Sequence, residues 1–496
     1  TRSQRYFSKC EKRNSKRVNM RNKDLKRIFI KGGVLSPGEL KQIIRLAETL
    51  GLSAIFFGSR QDIILPFQES DKEILEQFPD LKMEIISQRD YQNIVCSYVS
   101  ADIFKNTPWL NGVKYLYILE DFKHTPKIKI NITDPQQQLV PIFSGNLNFI
   151  ASEHEDYWYL HLNLAHWKNT AYYPVLIFSY DIAKISKIIE EIGSDADDME
   201  ELFDLINDRI ETNNRSIEKK LAIPYEPFPY YEGMNKMGIN RYWLGLYWRN
   251  NRYDLKFLKD FSEFCLNHKV GKICITPWKS FIVKGIDQED KLTLEKFLGK
   301  KGINVRHSSL ELNWNIPVND NDALNLKEFV VKTFDQNDIS TYGMTFGISY
   351  HETEKTYFTT VTIEKNKTPD IVKNFQIRPT FNVLYSKKFD PNTQEYIAYA
   401  QDVDKIELPG LLMELSRMYF DQLGAVTPSP NAKSNANEAP KLSEVHQCSN
   451  CMTLYDSAYG DERFGITQNT SFENLPEDYC CSVCEGEKKL FKKVLI

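Results

Sequence analysis

Two Cys-x2-Cys pairs, Cys448/Cys451 and Cys481/Cys484, stand near the end of the chain with twenty-nine residues between them. Four thiolates delivered in two matching pairs can close a tetrahedron around one metal ion, and all-sulfur tetrahedral ligation points to iron or zinc. A pair of disulfides is the competing reading. It needs an oxidising compartment and gives no reason for both pairs to share the same two-residue gap. Spacing alone leaves iron and zinc open, because zinc ribbons use the same paired geometry.

The residues between and after the pairs narrow the choice. Tyr455, Gly460-Asp461, Gly465-Ile466, Phe472, the run Leu475-Pro476-Glu477-Asp478, Tyr479 and Phe491 closely resemble rubredoxin, a family that holds one iron in four cysteines and shuttles one electron. The resemblance covers residues 446–496 and implies a small aromatic core stapled by the metal. It also implies a glycine after each pair, where a backbone amide must turn with positive φ to reach a sulfur. Here those positions are Met452 and Glu485, Ser482 stands where the family has proline, Tyr479 where it has tryptophan, and Cys480 abuts the third ligand. Side chains at 452 and 485 make positive φ costly and shift the expected reduction potential through the groups around the sulfurs. Cys480 reads as a small buried hydrophobe rather than a fifth ligand.

The elements that must carry this centre begin with a tether. From Gly424 to Lys441 the chain lacks large apolar residues apart from Val426 and is rich in Pro, Ser and Asn, the composition of a flexible linker that holds a carrier at high local concentration near its partner. Upstream, a pattern repeats. The first copy reads as a strand from Ile28, a helix from Glu39 to Leu50, a strand from Ala54 and a helix from Lys72 to Phe78. The second reads as a strand from Tyr242, a helix from Leu255 to His268, a strand from Lys272 and a helix from Glu289 to Leu298. Strands are expected over 342–364 and a helix over 406–423, with no recognisable motif after Asp335.

Leu35-Ser-Pro-Gly-Glu-Leu, Ser59-Arg60-Gln61, Asp90 to Ser97, Pro126-Lys-Ile-Lys-Ile130 and Thr276-Pro277-Trp278-Lys279 resemble segments of the sirohaem nitrite and sulfite reductases, whose ferredoxin-like half domains alternate with larger α+β domains. The resemblance implies an α+β fold: residues 24–130 and 236–335 as half domains, 131–235 and 336–423 as α+β reductase-like domains, 424–445 as linker and 446–496 as the metal-stapled domain. It implies that Arg60, Lys127 and Lys129 contact a small oxyanion and the carboxylates of sirohaem, since clustered cations supply charge-assisted donors. Gln92 stands where the family commonly has a second arginine. The family's four-iron cluster needs cysteines in the second half, and none occurs between Cys274 and Cys448, so that 4Fe-4S cluster cannot form. Solvated or structural charges on an inherited scaffold are the plainer reading of Arg60, Lys127 and Lys129, because alternating Lys-Ile-Lys-Ile is what any half-exposed strand shows.

Composition excludes other classes. A net charge of −4 gives no reason to invoke a polyanionic partner, and no stretch is apolar enough to span a membrane. Nine cysteines without a disulfide framework read as cytoplasmic. Residues 1–23 read as a basic disordered tail. His161 and His166 sit in an aromatic-rich segment and read as structural, the acidic run 195–201 reads as a loop entering a helix, and no Walker A, Gly-x-Gly-x-x-Gly or Gly-x-Ser-x-Gly motif occurs. The resulting expectation is an electron carrier: an iron centre tethered to a reductase-like scaffold, serving nitrite, nitrate or sulfite reduction through partner proteins, a reductase donor and an acceptor. Two alternatives remain: an active haem- or sirohaem-dependent oxidoreductase using the iron as electron entry, and a zinc-stapled interaction module.

Overall fold

Ser36 starts the first helix as a capping box: its Oγ accepts from the Glu39 amide at 3.2 Å while Glu39 Oε2 accepts from the Ser36 amide at 2.7 Å. Pro37 occupies the first turn, and the helix Pro37–Thr49 buries Leu40, Ile43, Ile44, Leu46 and Ala47 along one face. Its counterpart, the helix Leu255–Asn267, is capped by Asp254 and buries Leu255, Leu258, Phe261 and Cys265. The two helices pack on one another over a shared core, where each fully buried Leu or Ile contributes about 2 kcal/mol.

The computed structural model describes residues 25–79, 81, 83–84, 93–306, 309–350, 357–366, 371–372, 375–376, 378–426, 444–450, 453–483 and 485–495. The tail 1–23, Asp90, Gln92, Cys451, Met452, Cys484 and most of the expected linker lie outside them.

Two five-stranded sheets flank the helix pair. One orders the strands Tyr253–Asp254, Ala54–Phe57, Ile63–Pro66, Leu25–Ile28 and Met83–Glu84; the other orders Gly233–Lys236, Arg241–Leu246, Phe281–Asp287, Lys272–Ile275 and Val34–Leu35. Each sheet takes its edge strand from the other copy of the repeat. Tyr253 pairs with Ile55, and Leu35 pairs with Ile273. The expected half domains are therefore interlocked. Gly33, at φ 68°, lets the chain cross between them, since a Cβ there would lie 2.7 Å from Gln61 Cβ and 2.9 Å from the Ile275 carbonyl oxygen.

The duplication extends further than the sequence pattern did. The strand Ile94–Cys96 runs parallel to Ile130–Thr133, which runs parallel to Leu147–Ala151; antiparallel strands Tyr157–Leu162, Val175–Phe178 and Asn214–Ser216 follow. In the second half, Trp314–Asn315, Phe346–Tyr350 and Val361–Lys365 are paired in parallel, and Phe381–Ser386 and Tyr396–Val403 follow antiparallel. Helices Gly112–Asp121 and Asn321–Gln336 occupy the same crossover, as parallel pairing requires. The expected boundary at 130 thus falls inside the first of these sheets and that at 335 inside the crossover helix of the second, and a crossover helix belongs with the strands it joins. The helix expected over 406–423 runs Leu408–Val426 and takes up the first residues of the expected linker.

The chain divides into two contact units at residues 424 and 425. The second holds a small sheet ordered Leu454–Tyr455, Glu444–Cys448, Phe491–Leu495. Among the described residues no helix is long and apolar enough to cross a membrane.

Candidate metal centre and buried cation cluster

Cys448 closes its strand, and its amide donates to the Thr453 carbonyl at 2.8 Å; the Cys481 amide donates to the Gly486 carbonyl at the same distance. Both loops thus close over the same number of residues, each with the first cysteine of its pair at the base. Cys448 and Cys481 are 0% exposed and neither is in a disulfide. Two buried thiols on matching loops fit one half of a four-sulfur site; the second cysteine of each pair lies outside the described residues. Glu485 adopts φ 58° although it carries a side chain. The turn expected to need glycine is kept, at a cost of about 1 kcal/mol, and the Glu485 amide donates to the Cys481 carbonyl at 2.9 Å. Cys480 is half-buried, bridged through its backbone to Glu487.

The expected aromatic core is present. Tyr455, Leu475, Tyr479 and Phe491 are buried around the two cysteines with Ile466 and Phe472 against them. Tyr479 lies 5.7 Å from Tyr455 and 5.9 Å from Phe491, centroid to centroid. Its hydroxyl donates to Asp461 Oδ2 at 3.0 Å, and that of Tyr455 to the Thr470 carbonyl at 2.7 Å. Both polar ends are satisfied, so the rings can wall off the sulfurs without orphaned groups.

Upstream, Arg60 is buried and held by protein groups. Nη1 donates to Asn131 Oδ1 at 2.6 Å, and Nη2 donates to the carbonyls of Asn93 and Ile130 at 2.6 and 2.8 Å. Burial pulls its pKa down to about 9. Lys127 is exposed, its backbone amide donating to Glu190; Lys129 is half-buried, its amide donating to Asn146 Oδ1 at 3.0 Å. Arg60 is thereby brought to the strand that follows Lys129. Its guanidinium clasps backbone, however, and presents no fork to an opening. The cleft lined by Phe143, Phe228, Trp278 and Phe358 has none of Arg60, Lys127 and Lys129 in its wall.

Sequence reasoning passed over the groups around Arg60. Arg27, Asp62 and Lys279 are buried with it, and Gln61, at φ 57°, exchanges hydrogen bonds with the Cys96 backbone and donates to the Ile275 carbonyl. The signal was available: Gly58-Ser-Arg-Gln-Asp62 and Thr276-Pro-Trp-Lys-Ser280 are the same hairpin loop in the two copies. His161 is buried against Phe143 and Tyr172, its pKa lowered to about 4 by burial, and His166 Nε2 lies 3.0 Å from the Ala196 carbonyl. The acidic run enters the helix Met199–Arg209 through Asp198, whose carboxylate accepts from the Glu201 amide.

The rubredoxin family model matches residues 445–491. Rubredoxin-2 of Alcanivorax borkumensis is 35% identical over 81 residues, 13% of this chain and 47% of that protein. Rubredoxin-2 of Desulfovibrio desulfuricans is 44% identical over 48 residues, 10% of this chain and 77% of that protein. Rubredoxin-2 of Chlorobaculum tepidum is 37% identical over 51 residues, 10% of this chain and 98% of that protein. The match spans about half of the Alcanivorax protein's length. Among solved structures, the Mycobacterium tuberculosis NirA protein superposes with a TM-score of 0.58 at 12% identity, over 83% of this chain and 82% of that one. Most of the chain thus has the NirA fold.

Proposed function

Through residues 445–491 the chain belongs to the rubredoxin family, and from that premise we propose that it is an electron-transfer protein whose four-cysteine iron centre serves a redox partner bound by, or passing electrons through, the NirA-fold scaffold. When bound, the iron supplies one-electron exchange between its ferric and ferrous states. The chain's own residues set the conditions. Cys448, Cys451, Cys481 and Cys484 would ligate it, the Tyr455, Tyr479 and Phe491 rings would keep water from the sulfurs, and the left-handed Glu485 keeps the turn in which its amide donates to the Cys481 carbonyl. The observation that carries the reading is the pair of buried cysteines, Cys448 and Cys481, on matching loops over an aromatic core. Nitrite, nitrate or sulfite reduction in the cytoplasm is the setting this reading favours, with a separate reductase as acceptor.

Haem chemistry within the scaffold is disfavoured because both terminal nitrogens of Arg60 donate to protein acceptors. The test is the visible spectrum of the full chain, oxidised and then dithionite-reduced, with metal analysis on the same sample. Red colour that bleaches, with about one iron per chain, supports the carrier; a colourless zinc protein overturns it.

A further inference from the structure

We propose that Arg463 is a positioning residue of the metal centre: its guanidinium holds the carbonyl of Ser482, inside the second cysteine pair, and so takes the place of the family's proline in fixing that loop. The inference deepens the carrier reading and rests on Cys481 and Cys484 binding a metal.

Asp461 fixes the arginine. Its amide donates to the Ile466 carbonyl at 3.0 Å and its carbonyl accepts from the Ile466 amide at 2.9 Å, which closes the turn between them. Within that turn Asp461 Oδ1 accepts from the Arg463 amide at 3.1 Å, while Oδ2 accepts from the Tyr479 hydroxyl at 3.0 Å. The next residue, Phe464, lies with its ring 5.3 Å from that of Tyr479. Arg463 is thus held on both sides, and its Nη1 donates to the Ser482 carbonyl at 3.3 Å. Tyr479 and Ser482, two departures from the family pattern, are joined through one Asp461–Arg463 link.

The second loop gains from a hold outside itself. Its base is closed by the Cys481 amide donating to the Gly486 carbonyl at 2.8 Å and the Glu485 amide donating to the Cys481 carbonyl at 2.9 Å. Its apex is Val483, which is 55% exposed and gains little from packing. A proline at 482 would fix φ near about −65° and stiffen the apex; serine leaves that rotation open.

The first pair is a comparison within the molecule. Ser449 stands after Cys448 as Ser482 stands after Cys481, and its amide donates to the Leu490 carbonyl at 2.9 Å. Each serine is tied to a group beyond its own loop, Ser449 through its amide and Ser482 through its carbonyl. A tie through the carbonyl is the kind that a proline also permits, since proline lacks only the amide hydrogen.

Arg463 also brings a permanent positive charge to a loop that carries two of the four proposed thiolate ligands. A nearby cation favours the more negative of two redox states, which is the reduced one.

The test compares metal release from the full-length chain into excess chelator for wild type, Arg463→Ala, Ser482→Pro and the double variant. Arg463→Ala is expected to release metal about fivefold faster, the share of one exposed hydrogen bond, and Ser482→Pro to restore most of that factor in the Arg463→Ala background. An unchanged rate in Arg463→Ala overturns the inference, as does an acceleration that Ser482→Pro leaves in place. Should Arg463→Ala purify without metal, the double variant decides: regained metal supports the inference and its absence overturns it. Potentiometry on the iron form reads the charge apart from the tie. The potential is expected to fall in Arg463→Ala and in the double variant and to hold in Arg463→Lys; equal potentials in wild type and Arg463→Ala overturn the inference. A wild type that binds zinc and no iron sinks the carrier reading alone, since the release comparison reads the tie on either metal.

Discussion

Gln61 and Lys279 occupy the same position of two equivalent hairpin loops, both in the left-handed region at φ 57° and 58° and both buried. Each reaches the end of the first parallel strand of its own copy: Gln61 Nε2 donates to the Cys96 carbonyl at 3.2 Å, and Lys279 Nζ to the Ile316 carbonyl. One loop position thus ties the interlocked sheets to each of the two larger sheets, with an amide in one copy and an ammonium in the other. A left-handed side chain at this position is strained. Its hydrogen bonds to otherwise buried backbone groups offset that strain.

Gln61→Ala leaves the buried Cys96 amide and the Cys96 and Ile275 carbonyls without their partner. A loss of about 3 kcal/mol is expected from the unsatisfied groups, read as a fall in the urea midpoint of the scaffold's transition. An unchanged midpoint would show that the amide is not a clasp.

Burial raises the Asp62 pKa from 3.8 to about 6, with Arg27 the first of the opposing charges. The folded state therefore holds this proton more tightly than the unfolded chain. The contribution is fully present below about pH 4 and is lost as pH rises through about 6. Wild-type stability relative to Asp62→Asn should accordingly fall between pH 4 and 6, by on the order of 2 kcal/mol, and level off above pH 7, where the carboxylate is a full counter-charge. Unfolding of both proteins across that range checks it; parallel curves would contradict the shift.

Glu485→Gly should stabilise the iron-loaded C-terminal unit by about 1 kcal/mol, since glycine adopts φ 58° without strain. It should also raise the reduction potential by removing a negative charge beside the sulfurs. Glu485→Gln separates the two effects: the potential rises while the melting temperature does not. Potentiometry and thermal melting on the same samples distinguish them.

Cys448→Ser and Cys481→Ser each remove a buried thiol, proposed as a ligand, from a unit whose core among the described residues is six buried side chains, two of them these cysteines. Metal content should drop well below about one per chain, and the C-terminal unit should lose its cooperative melt. The transition of residues 25–424, a separate contact unit, should be unmoved in calorimetry. A matching loss there would mean that the two units fold as one.

The rubredoxin segment was legible in the amino-acid sequence because its information is local. Ligand spacing, the Gly460 and Gly465 turns and the aromatic positions all lie within residues 446–496, and the family match falls on that segment. Duplication was legible only through Leu298, where helix period and loop chemistry recur. Beyond it, Trp314–Asn315 to Tyr396–Val403 repeat the strand pairings of Ile94–Cys96 to Val175–Phe178 with different side chains, and pairing is made by backbone groups that leave no mark on residue identity. The partners of Arg60, Gln61 and Lys279 were decided by tertiary structure alone. An arginine beside a Lys-Ile-Lys-Ile strand is equally an anion ligand or a backbone clasp until its acceptors are known. Those acceptors, at Asn93, Ile130 and Asn131, are brought to it only by folding.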